Sequence, residues 1–184
     1  MTRKVVVDAS VARSCSTSQS PPAPECFTAL GAIREGALLV SVSAELDAEW
    51  RRHASRFFWQ WLRDMTSRRR VSVDALVRVQ EIGGRLRRLA GPAEAEAVEK
   101  DAHLAAAGVE QDGRVLSLDG RMRDKLARIA TADVQWHELG LVHWADPSID
   151  DSDALCAWLR SNAPDEKARQ LREWPRSGRP RPAR

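Results

Sequence analysis

The sequence predicts an α/β sandwich on a central, mostly parallel sheet, and three observations predict it. Short apolar, β-branched runs alternate with helix-length segments of three- and four-residue periodicity. Two of the runs, Lys4 to Val7 and Arg114 to Leu118, hand over at once to an aspartate. The chain has 184 residues, 43% of them hydrophobic, with 10 Gly and 9 Pro, which is enough to bury one core and too few breakers for a fibrous or globally unfolded chain.

Each element follows from its residues in order. Lys4-Val5-Val6-Val7 is apolar without alternation, the mark of a strand covered on both faces. Ser14 to Pro24 is rich in Ser and Pro and reads as a loop, and Glu25 to Glu35 as a short helix stopped by Gly36. Ala37 to Val42 is the next strand. Ser43 is a good cap for a long helix to about Arg68, with the apolar stripe Leu46, Trp50, Phe57, Trp61 and Met65. A second helix is expected from Val73 to Leu89, weakened by Gly83-Gly84, and a third from Pro92 to about Ala107, ended by Gly108. Arg114 to Leu118 is the clearest late strand, followed by a helix from Arg121 to Ala130. Val134 to Trp136 and Leu141 to Trp144 are apolar enough for the last strands, and Asp153 to Leu159 for a last helix. Residues 1–146 form the predicted domain, 147–175 a helical extension, and 176–184, alternating Arg with Pro and Gly, a basic tail that does not fold.

Composition narrows the function classes. No run approaches the length of a membrane span and no signal segment opens the chain, so a cytoplasmic protein without a membrane is expected. Three cysteines with no C-x-x-C pair argue against a disulfide framework and a zinc site. The net charge of +3 hides a segregation: residues 51–93 hold 11 basic and 3 acidic groups, and residues 94–166 hold 7 and 16. Local positive surface of that kind suits a polyanion, although an arginine-rich codon bias explains it as well. Neither a G-x-x-x-x-G-K loop nor a G-x-G-x-x-G turn is present, which removes nucleotide hydrolysis and dinucleotide redox chemistry.

The acids carry the functional reading. In a parallel sheet, ligands bind beyond the carboxyl ends of the strands. If the strands before Asp8 and Asp119 are neighbours, the two carboxylates converge and repel, and the remedies are protonation, an Arg or Lys partner, or a hard divalent cation. Glu49 and Asp101 are candidates to join them. Asp101 stands on the face of Val98, Ala102, Leu104 and Ala105, where a bare charge is costly. The plain alternative for Asp8 and Asp119 is a helix cap.

Four segments, VVVDASV at 5–11, SAELDAEW at 43–50, KDAHLAAAG at 100–108 and VLSLDGRMRDKL at 115–126, resemble in order and spacing the PIN-domain nucleases, of which VapC-type toxins are a bacterial group. The resemblance covers about residues 3 to 145. It implies an acidic quartet of Asp8, Glu49, Asp101 and Asp119 that binds Mg2+ or Mn2+, with Ser117 beside the last acid and Asp124 as an optional fifth. The implied activity is a metal-dependent endoribonuclease, a toxin or defence effector restrained by an antitoxin-like partner and often a homodimer. His53, one turn after Glu49, is a candidate donor to that carboxylate or to a substrate phosphate, its plain alternative being a half-buried packing histidine. Arg51, Arg52, Arg68, Arg69 and Arg70 are the candidate RNA contacts. The alternatives are a catalytically silent nucleic-acid-binding or assembly module of the same fold, and a nuclease acting on DNA.

Overall fold

A computed structural model describes residues 2–176. The expected class is observed: five parallel strands form one sheet flanked by helices. In chain order the elements are β1 (Lys4–Val7), α1 (Ala9–Ser14), α2 (Ala23–Glu35), β2 (Leu39–Val42), α3 (Ala44–His53), α4 (Arg56–Ser67), β3 (Val71–Val73), α5 (Val79–Ala90), α6 (Ala95–Lys100), α7 (Ala102–Glu110), β4 (Arg114–Leu116), α8 (Gly120–Ala132), α9 (His137–Gly140), β5 (His143–Ala145) and α10 (Ser152–Arg160). Two 3-10 turns follow, Lys167–Arg169 and Leu171–Arg176. Positions 177–184, most of the expected unfolded tail, lie outside the described residues. No helix among the described residues is long and apolar enough to cross a membrane.

The strand order is β3-β2-β1-β4-β5, every pair parallel. The chain therefore builds outward from β1 in one direction through β2 and β3, then returns to start β4 on the other side of β1. That reversal opens a crevice between the carboxyl ends of β1 and β4, the place where parallel sheets bind ligands. Val5, Val6 and Val7 are all buried, as a strand covered on both faces requires.

Four elements differ from the sequence-based expectation. The long helix over 43–68 is two helices: Ala54 is extended, and the Ser55 hydroxyl accepts the Phe58 N–H at 3.2 Å to start α4. The break re-phases the apolar stripe, so Phe58 rather than Phe57 joins Trp50, Trp61 and Met65 in the core. Val71 to Val73, at the boundary of an expected helix, is edge strand β3. The expected third helix divides at Asp101, whose backbone leaves helical geometry between α6 and α7. Val134 to Trp136 is a turn, with the Trp136 N–H donated to the Asp133 carbonyl.

The segment 147–176 shares the core of the rest of the chain. Leu155, Trp158, Leu159, Ala163 and Leu171 are buried in the same apolar cluster as β1 and β4. Gln170 forms an antiparallel bridge with His143, covering the outer edge of β5. Gly36 permits this closure: a Cβ there would lie 2.8 Å from the Arg160 backbone at the end of α10. Cys15, Cys26 and Cys156 are buried free thiols. Burial raises Cys15 to about 11 and, with Cys15 as the next contributor, Cys26 to about 12, so both stay protonated and unreactive near neutral pH.

Candidate active site

Asp8 follows the last residue of β1, and its N–H donates to the Leu116 carbonyl at the end of β4, pinning it to the crevice. It is 8% exposed. Its side chain caps nothing in α1, so the helix-cap alternative does not describe it. Instead Asp8 Oδ2 accepts two hydroxyls, from Ser10 and from Ser117, the latter at 2.6 Å. Each serine also accepts a backbone N–H from the loop after β4: Ser117 Oγ that of Asp119 at 3.0 Å, Ser10 Oγ that of Leu118 at 3.0 Å. Ser117 is thus the physical link between the two expected acids. Asp119 does cap its helix, Oδ1 accepting the Met122 N–H at 2.8 Å.

No Lys or Arg side chain neutralises Asp8 or Asp119 among the described residues, although 175 residues with many cations surround them. Two uncompensated carboxylates near one buried serine leave the protonation and cation remedies open. Carboxylate and hydroxyl oxygens are the donors that hard divalent ions prefer, so the donor chemistry fits Mg2+ or Mn2+. Among the described residues no group of three or more His, Cys, Asp or Glu side chains is arranged to hold a metal ion.

The other two expected acids lie on helices. Glu49 is in the last turns of α3, next to Trp50, whose indole N–H donates to the Val7 carbonyl at 3.1 Å and fixes this helix to the end of β1. Glu49 Oε2 is 3.4 Å from Nε2 of His103, a residue of α7 that sequence reasoning passed over. His53, the expected partner of Glu49, is exposed at the end of α3, with no hydrogen bond or ion pair to Glu49 among the described residues. Asp101 is partly exposed at the break before α7, two residues ahead of His103. The signal for His103 was present in KDAHLAAAG: a lone polar ring in an otherwise apolar, Ala-rich helix.

Asp124 is held elsewhere. Its Oδ1 accepts Nε and Nη2 of Arg123 at 3.1 and 3.0 Å and the indole N–H of Trp174 at 3.1 Å. Arg123 lies under the Trp174 ring, 3.8 Å from its centroid, and 3.5 Å from Asp146, whose carboxyl burial raises.

The arginine run needs a correction. Arg68, Arg69 and Arg70 immediately precede β3, so they stand at the amino edge of the sheet, opposite Asp8 and Asp119. Arg70 is a structural clamp: its guanidinium donates to the carbonyls of Ile33, Arg34, Gly36 and Leu38, the end of α2 and the approach to β2. Arg68 pairs with Asp64 at 3.0 Å. Arg51, paired with Asp47 at 2.7 Å, and Arg52 remain exposed on α3, the helix that carries Glu49.

Fold and site together define a parallel α/β sandwich with paired acids at its switch point. No family model matches the chain, and no match to it was found among curated proteins or solved structures.

Proposed function

We propose that the chain is a divalent-metal-dependent nuclease that hydrolyses RNA phosphodiesters at the crevice between β1 and β4. One observation carries this reading: Asp8 directly after β1 and Asp119 three residues after its parallel neighbour β4 are joined through Ser117, with no cationic side chain to balance them among the described residues. The resemblance of the four acidic segments to PIN-domain nucleases supports it from the sequence.

Asp8 and Asp119, with Asp101 and Glu49 from the helices, would hold the ion, which supplies an activated water and neutralises charge growing on the phosphoryl oxygens. Ser10 and Ser117 fix the Asp8 carboxylate by donating to one of its oxygens, Oδ2. Arg51 and Arg52 on α3 are the cations left to hold flanking phosphates. A toxin or defence role with an antitoxin-like partner, and pairing into a homodimer, belong to the same proposal.

The test is cleavage of labelled RNA and single-stranded DNA in Mg2+ or Mn2+ by wild type, Asp8→Asn and Asp119→Asn. Cleavage should fall by on the order of 100-fold or more in both variants while both remain folded. Variants that cut as fast as wild type would remove the mechanism. A second reading is a catalytically silent RNA-binding module of the same fold. It predicts salt-dependent RNA binding without cleavage by wild type.

A further inference from the structure

Resting on that reading, the geometry points to His103 as the positioning residue for Glu49, fixing its carboxylate beside the helix start that carries Asp101. His103 is 8% exposed on a helix whose residues from Ala102 to Gly108 are all buried. Its Nε2 is buried and has no hydrogen-bond partner, an arrangement proteins seldom leave standing without a use. The carboxylate oxygen ahead of it is Glu49 Oε2 at 3.4 Å, slightly beyond a good hydrogen bond. Glu49 in turn makes no other polar contact among the described residues and is about one-third exposed.

The pairing spans two elements that nothing else in the acidic set connects. Glu49 belongs to α3, held to the end of β1 by Trp50, and His103 to α7, two residues past the break at Asp101. A small closing motion of α7 on α3 makes the Nε2–H bond and stops the Glu49 side chain from rotating. A glutamate has three rotatable bonds, so an unheld one would sample many positions away from the crevice. Acidic groups around a metal commonly need a partner of this kind, and its loss weakens metal binding 10- to 100-fold.

Three measurements on the full chain test this: Mn2+ binding followed by the electron paramagnetic resonance of the free ion, RNA cleavage resolved into kcat and KM, and 15N shifts of the metal-free His103 ring. His103→Leu should weaken Mn2+ binding about 10-fold and lower kcat with KM for RNA little changed. His103→Gln, which keeps an N–H at similar reach, should recover most of both. In Glu49→Gln the Nε2 signal should move. Wild-type Mn2+ binding and turnover in His103→Leu would overturn the role, as would equal losses in the Leu and Gln variants that track lowered melting temperature. An unmoved Nε2 signal with Mn2+ binding intact overturns the positioning alone. Absence of Mn2+ binding and of cleavage in wild type overturns the nuclease reading and this role with it.

Discussion

Ser117 shows how much one buried hydroxyl decides. It is fully buried, donates to Asp8 and accepts the Asp119 N–H, so Ser117→Ala takes the acceptor from a part-buried N–H and one of the two donors from Asp8 Oδ2. About 1–3 kcal/mol of destabilisation in urea unfolding is expected, together with reduced cleavage, because Asp8 loses one of its two fixing donors. His143 offers a separate handle. Burial and then the neighbouring Arg114 hold its pKa below the ordinary 6.5, while its Nε2 accepts the Glu166 N–H at 3.0 Å. A neutral buried histidine binds a proton more readily once unfolded, so stability is complete above pH about 6.5 and declines as pH falls toward the depressed folded value. Melting temperature between pH 7 and 5 should therefore drop more steeply in wild type than in His143→Gln. Equal slopes would show that His143 is not the group responsible.

At the scale of elements, the division of 43–68 into α3 and α4 rests on Ser55. Its hydroxyl caps α4 and also donates to the Cys15 carbonyl at the end of α1, joining three elements. Ser55→Ala should lower stability by about 1–2 kcal/mol in chemical denaturation, at the upper end of cap losses because the Cys15 contact goes too. Sequence periodicity missed the break because Leu46, Trp50, Trp61 and Met65 all fall on a plausible single stripe, and a serine inside a periodic pattern does not announce itself as a cap. Asp101 hides a break in the same way. Its neighbours Val98, Ala102, Leu104 and Ala105 are buried as the pattern predicted, but the helix restarts at the acid.

Across the whole molecule, the segment after Asp146, which joins the sandwich through the shared apolar core and the Gln170–His143 bridge, is braced internally by an ion pair with almost no exposure. Arg169 Nη1 lies 2.5 Å from Asp150 Oδ2, with side chains 3% and 2% exposed, and the guanidinium stacks over Trp158 at 4.8 Å. Arg169→Leu removes the cation from a buried carboxylate and should cost about 3–5 kcal/mol by urea unfolding, whereas Arg169→Leu with Asp150→Leu should cost clearly less. Similar losses in the two would mean that packing on Trp158, not charge, holds the segment. Gln170, next to Arg169, covers the β5 edge, so the single variant should also show the greater tendency to aggregate.

The sequence by itself determined the α/β class, the strands leading to Asp8 and toward Asp119, the Ser43 cap and the cysteines' lack of a disulfide framework, because each is written in local periodicity or in a residue type with one common use. Only the tertiary structure decided that β1 and β4 are neighbours, that Ser117 and Ser10 converge on one oxygen of Asp8, that His103 rather than His53 faces Glu49, and that Arg68 to Arg70 stand at the far edge of the sheet. Apart from Ser10 to Asp8, the side-chain contacts among these join residues far apart in the chain, 109 for Ser117 to Asp8, and depend on strand order and helix packing that no local pattern encodes.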